Sequence, residues 1–459
     1  MTTSVDVVVL GLGPGGEAAA KSLAEAGLEV VGIEARLVGG ECPYWGCVPS
    51  KMLLRAAAAL QEARRVDQLS GQAAVTPDFS RVARRIRTEA TDGWDDRIAV
   101  ERLALAGVKV VKARGRLLGN CSVSAAGEVF EARRGVLLNT GTEPWAPPID
   151  GLAEAGYWTN REALESEVAP ESMVVLGGGA VGVELAQAFA RFGTAVTVVE
   201  SADRLLQGEE PEASALLAEV LGHEGVMLYL GASVSGVRAR GDNSVVSLEG
   251  VGELEARRLL VATGRRPDLG ALGIASIGLD ETASSIPVDA RMRAADGLWA
   301  IGDVTGVGPF THISMYQSAI AVRDILGQDG PVADYRALPR VTFTEPEIGS
   351  VGLTEDLARQ RGVDVVASSS DLAASSRGWI HGPGGKGLFK LVADASRHVL
   401  VGATSVGPAG GETLGALTLA VHLELDLEVL GEVIYPYPTF QRGIQDALGA
   451  LKEALENAT

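Results

Sequence analysis

The chain has 459 residues, room for about three domains. It carries 40 Lys plus Arg against 59 Asp plus Glu, a net charge of −19, which argues against a nucleic-acid partner. No apolar run approaches the roughly 18 residues a membrane-spanning helix needs, and three cysteines make no disulfide scaffold. The N-terminal stretch MTTSVDVVVL lacks a basic region, so the sequence predicts no signal peptide, no membrane partner and a cytoplasmic location.

Taken in chain order, an apolar strand is expected at 5–10, followed by a glycine turn, an Ala-rich helix to about residue 27, and a second strand at 29–34. Long helices are predicted at 47–69 and 79–106, with alternating strands from 108 to 138. The strand, glycine turn, helix, strand pattern returns at 172–200. Short strands with Gly and Asn turns follow at 234–260. From about 335 strands and helices mix, and a helix near 444–455 ends the chain. Domain edges are expected near 150, 270 and 335.

Gly11, Gly13 and Gly16 form a GxGxxG directly between strand and helix. Glycine lets the turn close and lets backbone approach a pyrophosphate, while the helix N-terminus supplies N–H groups and positive dipole. Glu34 ends the second strand, where an acid accepts both ribose hydroxyls. Gly177, Gly179 and Gly182 repeat the fingerprint, with Glu200 in the acid position. A terminal Glu repels a 2′-phosphate, so NADH is expected over NADPH; Arg204 nearby would soften that preference, and is read as a solvated surface arginine. Two dinucleotide sites in one chain point to hydride transfer between a nicotinamide and a flavin.

Cys42 and Cys47 lie in GGECPYWGCVPSK. Helical rise alone would separate residues five apart by about 7.5 Å, more than a disulfide tolerates. A bridge therefore requires Cys42 to sit off the helix, in a turn permitted by Pro43 and Gly46. Pro49 suits a first helical turn and puts Cys47 at the helix N-terminus, a position that favours thiolate. The alternative is two unrelated reduced thiols. Cys121 reads as an inert small hydrophobe.

GGECPYWGCVPSK resembles the redox-active segment of the class I flavoprotein disulfide reductases, the family of dihydrolipoamide dehydrogenase, glutathione reductase and mercuric reductase. The resemblance runs along the whole chain through LLNTGTEP (137–144), LLVATGRRPD (259–268), LWAIGDVTG (298–306) and FTEPEIGSVGLTE (343–355). It implies an α/β chain with two Rossmann-like dinucleotide-binding domains and a C-terminal α+β dimerisation domain. FAD would be bound by 1–150 and its continuation 271–335, NAD(P) by 151–270, and homodimer contacts would come from 336–459. Gly141 and Gly264, in two of those segments, would contact cofactor. Asp303 matches the residue that holds the FAD ribitol, and a helix from about His312 would aim its N-terminus at the flavin. Lys51 matches the lysine near flavin N5 and Glu184 its ion-pair partner. Cys47 would be the flavin-proximal thiol and Cys42 the interchange thiol.

One segment departs from the family. Disulfide-reducing members carry a His-Pro segment followed by Glu near the C-terminus, whose histidine reaches across the dimer to shuttle protons. Here the segment reads YPYPTFQRG, with Tyr437 in the histidine position and Arg442 in the glutamate position. An unperturbed Tyr, with a pKa of about 10, does not cycle protons near neutrality, and Arg is never a base. Tyr437 is thus a hydrogen-bond donor to substrate or a packed interface residue. Mercuric reductase also lacks that histidine but carries a C-terminal cysteine pair, which the tail KEALENAT does not have. Tyr44 and Trp45 either brace the cysteine loop or stack on a flat acceptor.

The expected activity is a FAD enzyme passing electrons from NADH through a Cys42–Cys47 disulfide to a disulfide or other small-molecule acceptor. The alternative is an NAD(P)H:quinone or diaphorase-type reductase whose flavin serves the acceptor directly.

Overall fold

A computed structural model describes residues 1–119 and 121–458. The chain divides into two compact units: Met1–Met52, Ala83–Trp145 and Gly264–Asp334 in the first, and Leu53–Val82, Ala146–Thr263 and Tyr335–Thr459 in the second.

The first unit is built on one sheet, ordered Arg293–Ala295, Leu298–Ala300, Glu128–Leu138, Thr2–Leu10, Val30–Glu34 and Lys109–Lys112. The pairings from Leu298–Ala300 to Lys109–Lys112 are parallel. Such strands are covered on both faces and so read as continuous apolar runs, as VVVL does. Val7 and Val9 pack with Ala19, Ala20, Leu23 and Ile320. Val8 and Leu10 face the other way, onto Leu117, Val123 and Leu272. Each such side chain contributes about 1.5–3 kcal/mol on burial. Leu10 pairs with Ile33 and with Leu138, so Gly11, Glu34 and Asn139 leave the sheet together at one carboxyl edge. In open α/β sheets that edge is where ligands bind.

The second unit repeats the plan. Met227–Leu230, Ala195–Glu200, Ser172–Leu176 and Arg258–Val261 form a parallel sheet in that order. Leu176 pairs with Val199 and with Val261, which brings Gly177, Glu200 and Ala262 to one edge. A three-stranded meander, Val234–Arg240, Asn243–Leu248 and Gly252–Ala256, lies in the same unit. Its C-terminal part is a five-stranded antiparallel sheet, from Pro339–Thr342 to Val365–Asp371, with helices Gly410–His422 and Gly443–Ala458. Among the described residues no helix is long and apolar enough to cross a membrane.

Two expected helices are corrected. The first runs Cys47–Arg64 and ends in a tight turn, Val66–Gln68. The segment 79–106 is not one helix: Phe79–Arg85 widens into a π-turn at Ile86–Ala90, and a separate helix spans Arg97–Leu105. Asp92, Gly93 and Trp94 all take positive φ (48°, 68° and 61°), which an α-helix does not accept. The Trp94 indole donates instead to the Tyr44 carbonyl at 3.2 Å.

Candidate active site

The first GxGxxG closes as the fingerprint requires. Gly11 has φ +92° and a Cβ there would sit 2.3 Å from the Asn139 carbonyl oxygen; one on Gly16 would sit 2.1 Å from Gly11 O. The helix Pro14–Glu25 starts at Gly13 with no side-chain cap, leaving its first-turn amides to an external acceptor. Glu34 is buried, and its carboxylate accepts the Leu12 N–H at 2.8 Å and the Arg36 N–H at 2.7 Å. Burial raises its pKa and the backbone donors oppose that rise. The second cradle is built alike. Gly177 has φ +108°, and a Cβ on Gly182 would sit 2.0 Å from Gly177 O. Gly179, the uncapped start of Ala180–Arg191, has φ −74° and open space where a Cβ would stand. Neither backbone strain nor protein packing requires glycine there, whereas close approach of a pyrophosphate does. Glu200 accepts the Gly178 N–H at 2.6 Å and the Ala202 N–H at 2.7 Å. These uncapped, Cβ-free helix starts fit one dinucleotide each.

Arg204 corrects the sequence reading. It is half-buried: one guanidinium nitrogen donates to the Gln207 carbonyl at 2.9 Å, and its Nε is buried with no hydrogen-bond partner.

Asp303 heads a polar chain in the first unit. It accepts a hydrogen bond from Thr142 Oγ1 at 3.0 Å, and Thr142 accepts from Arg265 Nε at 3.0 Å. Arg265 also pairs with Glu41 at 3.6 Å, next to Cys42. Burial pushes the Asp303 carboxyl up, against the charge of Arg265 and the Thr142 bond. Gly141 and Gly264 have φ +65° and +129° with open space at the Cβ position, so both occupy backbone turns that favour glycine. The helix expected near His312 begins at Thr311, and the exposed His312 ring stacks on Phe310 at 5.2 Å.

The cysteine loop has the anticipated shape. Cys42 sits in a separate helical turn, Glu41–Tyr44, and Cys47 opens the helix Cys47–Arg64. A Cβ on Gly46 would come within 3.3 Å of Cys42 Cα, so the connecting turn is tight. Both cysteines are free thiols, Cys42 half-buried and Cys47 exposed. The hydrogen bond from Cys42, with help from Thr311 and from Lys51 one turn on, lowers the Cys47 pKa to about 6 even though burial opposes it. The same bond, with desolvation, pushes Cys42 well up. Cys47 Sγ lies 3.3 Å from Thr311 Oγ1. Tyr44 is buried, with its hydroxyl pushed up to about 12 by burial and nearby acids, so it braces the loop. Trp45 stands half-exposed beside it, the rings 5.9 Å apart. Cys121 packs against the sheet core, as expected of a small hydrophobe.

In the second unit Glu184 is buried and accepts the Phe343 N–H at 2.8 Å. Tyr437 is 69% exposed, and its hydroxyl donates to Ser376 Oγ at 3.0 Å. Arg442 lies 5.7 Å from that ring and pairs with Asp446 at 3.3 Å. Sequence reasoning missed Asn139, Thr142, Arg265 and Thr311. Asn139, Thr142 and Arg265 carried a signal, because they lie inside segments already singled out, LLNTGTEP and LLVATGRRPD.

The chain matches the pyridine nucleotide-disulphide oxidoreductase family over residues 5–321 and that family's dimerisation domain over 338–448. It is 34% identical to a dihydrolipoyl dehydrogenase of Thermus scotoductus, covering 98% of both chains. It is 31% identical to a mercuric reductase of Bacillus cereus, covering 96% of this chain and 71% of that one. Its fold is similar to the HOCl-induced flavoprotein disulfide reductase RclA from Escherichia coli, with TM-score 0.85, 27% identity, and 97% and 99% of the two chains covered. The chain therefore belongs to the pyridine nucleotide-disulphide oxidoreductases, as a FAD-dependent enzyme that exchanges electrons with a pyridine nucleotide.

Proposed function

We propose that the chain uses NADH to keep Cys42 and Cys47 cycling between disulfide and dithiol, and that Cys42 delivers the electrons to a small-molecule acceptor. The observation that carries this reading is the cysteine pair itself: two hydrogen-bonded thiols of opposite pKa displacement, one off the helix and one at its N-terminus. Residues 1–150 and 271–335 would hold FAD, with Glu34 on the ribose, Asp303 on the ribitol, and Gly11, Gly13 and Gly16 at the pyrophosphate. Bound FAD supplies a two-electron carrier between a hydride donor and sulfur. Residues 151–270 would hold the nicotinamide dinucleotide. There Glu200 leaves room for a free 2′-hydroxyl and repels a 2′-phosphate. Residues 336–459 would supply homodimer contacts, and the enzyme would work in the cytoplasm.

Toward a disulfide acceptor the sulfur chemistry balances within the chain. Cys42, once deprotonated, attacks one acceptor sulfur and expels the other as thiolate, which takes a proton from water. The Cys47 thiolate then attacks the Cys42 sulfur, releasing the second acceptor thiolate and restoring the Cys42–Cys47 bond. Lys51 stabilises the negative charge on Cys47.

Tyr437 favours a second reading. It presents a phenol where the family has an imidazole, so acceptors that need a proton shuttle there are served poorly, and a quinone would take electrons without the dithiol. Cys42→Ser separates the two. The dithiol reading expects turnover of the acceptor to fall by on the order of 10³ or more, as for loss of a nucleophile. Unchanged turnover would establish direct reduction of the acceptor.

A further inference from the structure

Resting on the dithiol reading, we infer that Thr311 is a positioning residue, whose hydroxyl decides which sulfur of the reduced pair carries the negative charge. Thr311 opens the helix Thr311–Ile325, far from the cysteine loop in sequence, and its Oγ1 lies 3.3 Å from Cys47 Sγ. The same hydroxyl also favours an ionised Cys42, against the larger effects of the Cys47 bond and of burial, so one donor acts on both sulfurs. A hydroxyl has a single proton to give. Donated to Cys47, it stabilises a thiolate there and leaves Cys42 to hold its own proton, which Cys42 shares with the same thiolate.

Three further features reinforce the asymmetry. Cys47 occupies the N-terminus of its own helix, where partial positive charge favours an anion. The helix Thr311–Ile325 has no side-chain cap at Phe310, so its N-terminal dipole adds to the field of the Thr311 hydroxyl. Lys51 places a positive charge on the same side. Cys42 sits in the four-residue helical turn Glu41–Tyr44, too short to build a comparable dipole. Thr311, Lys51 and the pair's own sulfurs are the groups whose effect on the Cys47 thiol sets the asymmetry.

The arrangement also gives the pair an internal route for its one remaining proton. When Cys42 must become the nucleophile, its S–H proton passes along their shared hydrogen bond to Cys47 Sγ, and the Thr311 hydroxyl turns its proton from Cys47 to the new Cys42 thiolate. The net result moves the thiolate from Cys47 to Cys42, with no change in charge and no outside base.

The test uses the flavin-loaded enzyme reduced with dithiothreitol, in the wild type, Thr311→Val, Thr311→Ala and Thr311→Ser. Iodoacetamide labelling is followed against pH, with Cys42 and Cys47 peptides quantified separately by mass spectrometry. In the wild type Cys47 labelling should rise with a midpoint near 6. In Thr311→Val and Thr311→Ala the midpoint should move up by about one pH unit or more, the scale of one charge-assisted hydrogen bond, while Thr311→Ser keeps it. Midpoints in both Val and Ala variants equal to the wild type would overturn the inference and leave the dithiol reading standing. A wild type with no low-midpoint thiol would overturn the dithiol reading itself. Should one variant fail to retain flavin, the other and the Thr311→Ser rescue still decide the matter.

Discussion

At the scale of single residues, the two cradle acids do similar structural work. Glu34 and Glu200 each accept two backbone N–H bonds that fix the carboxylate at the sheet edge. On the proposed reading Glu200 also governs cofactor choice. Replacing it with Ala removes the charge that repels a 2′-phosphate, while the half-buried Arg204 remains. The ratio of kcat/KM for NADH over NADPH should fall by about tenfold or more, equivalent to about 1.4 kcal/mol. Steady-state kinetics with both nucleotides read this directly, and an unchanged ratio would remove Glu200 from the selectivity argument. The glycines, the acids and the cysteines were legible because they stand at fixed spacings in short local patterns. Thr311 was not, and Asn139 stood in a segment, LLNTGTEP, that only the resemblance singled out. Asn139 acts by lying under Gly11, and Thr311 meets Cys47 across 264 positions, a juxtaposition no local pattern encodes.

At the scale of elements, each β-α-β turn is a packed joint. A methyl on Gly16 would press on the Gly11 carbonyl oxygen at 2.1 Å, so helix and strand would have to part. Gly16→Ala should purify with little or no FAD, checked by the flavin-to-protein absorbance ratio; full flavin content would show that the turn relaxes without cost. A second joint lies in the other unit. Lys390, on the strand Leu388–Asp394, is buried among Glu210, Glu212 and Glu355 at 3.0, 2.7 and 2.9 Å. Two of these acids begin the helices Pro211–His223 and Glu355–Gln360, so one ammonium ties three elements together. Lys390→Met strands the buried Glu210 carboxylate and should lower unfolding stability by about 3–5 kcal/mol in urea titration. The strands and most helices were readable from periodicity. The break in 79–106 was not read, although Asp-Gly-Trp carried it, because positive φ at three successive residues overrides an otherwise helical pattern.

At the scale of the whole molecule, the sequence repeats one plan twice and adds a third fold with no such signature. Gly177 to Glu200 mirrors Gly11 to Glu34 in strand register, turn geometry and acid anchoring. That symmetry was legible because both parallel sheets must be apolar throughout and must end in glycine. The five-stranded sheet of the C-terminal part was seen only as mixed strands and helices, since its pairings join segments from 339 to 407. The departure at Tyr437 was legible only against a family pattern. Its place on an exposed surface, donating to Ser376, came from the fold. With the Tyr437 hydroxyl engaged as a donor to Ser376, Tyr437→Phe should leave the pH profile of acceptor turnover unshifted; loss of a titrating limb would assign Tyr437 a proton-transfer role.

On the dithiol reading, Cys42 and Cys47 alternate between a disulfide and a dithiol under the control of reduced nucleotide. Anaerobic thiol titration of the denatured flavoenzyme, before and after NADH, tests it most directly. The chain holds three cysteines. One reactive thiol, Cys121, is expected in the oxidised enzyme and three after NADH. The same number of thiols in both states would contradict it.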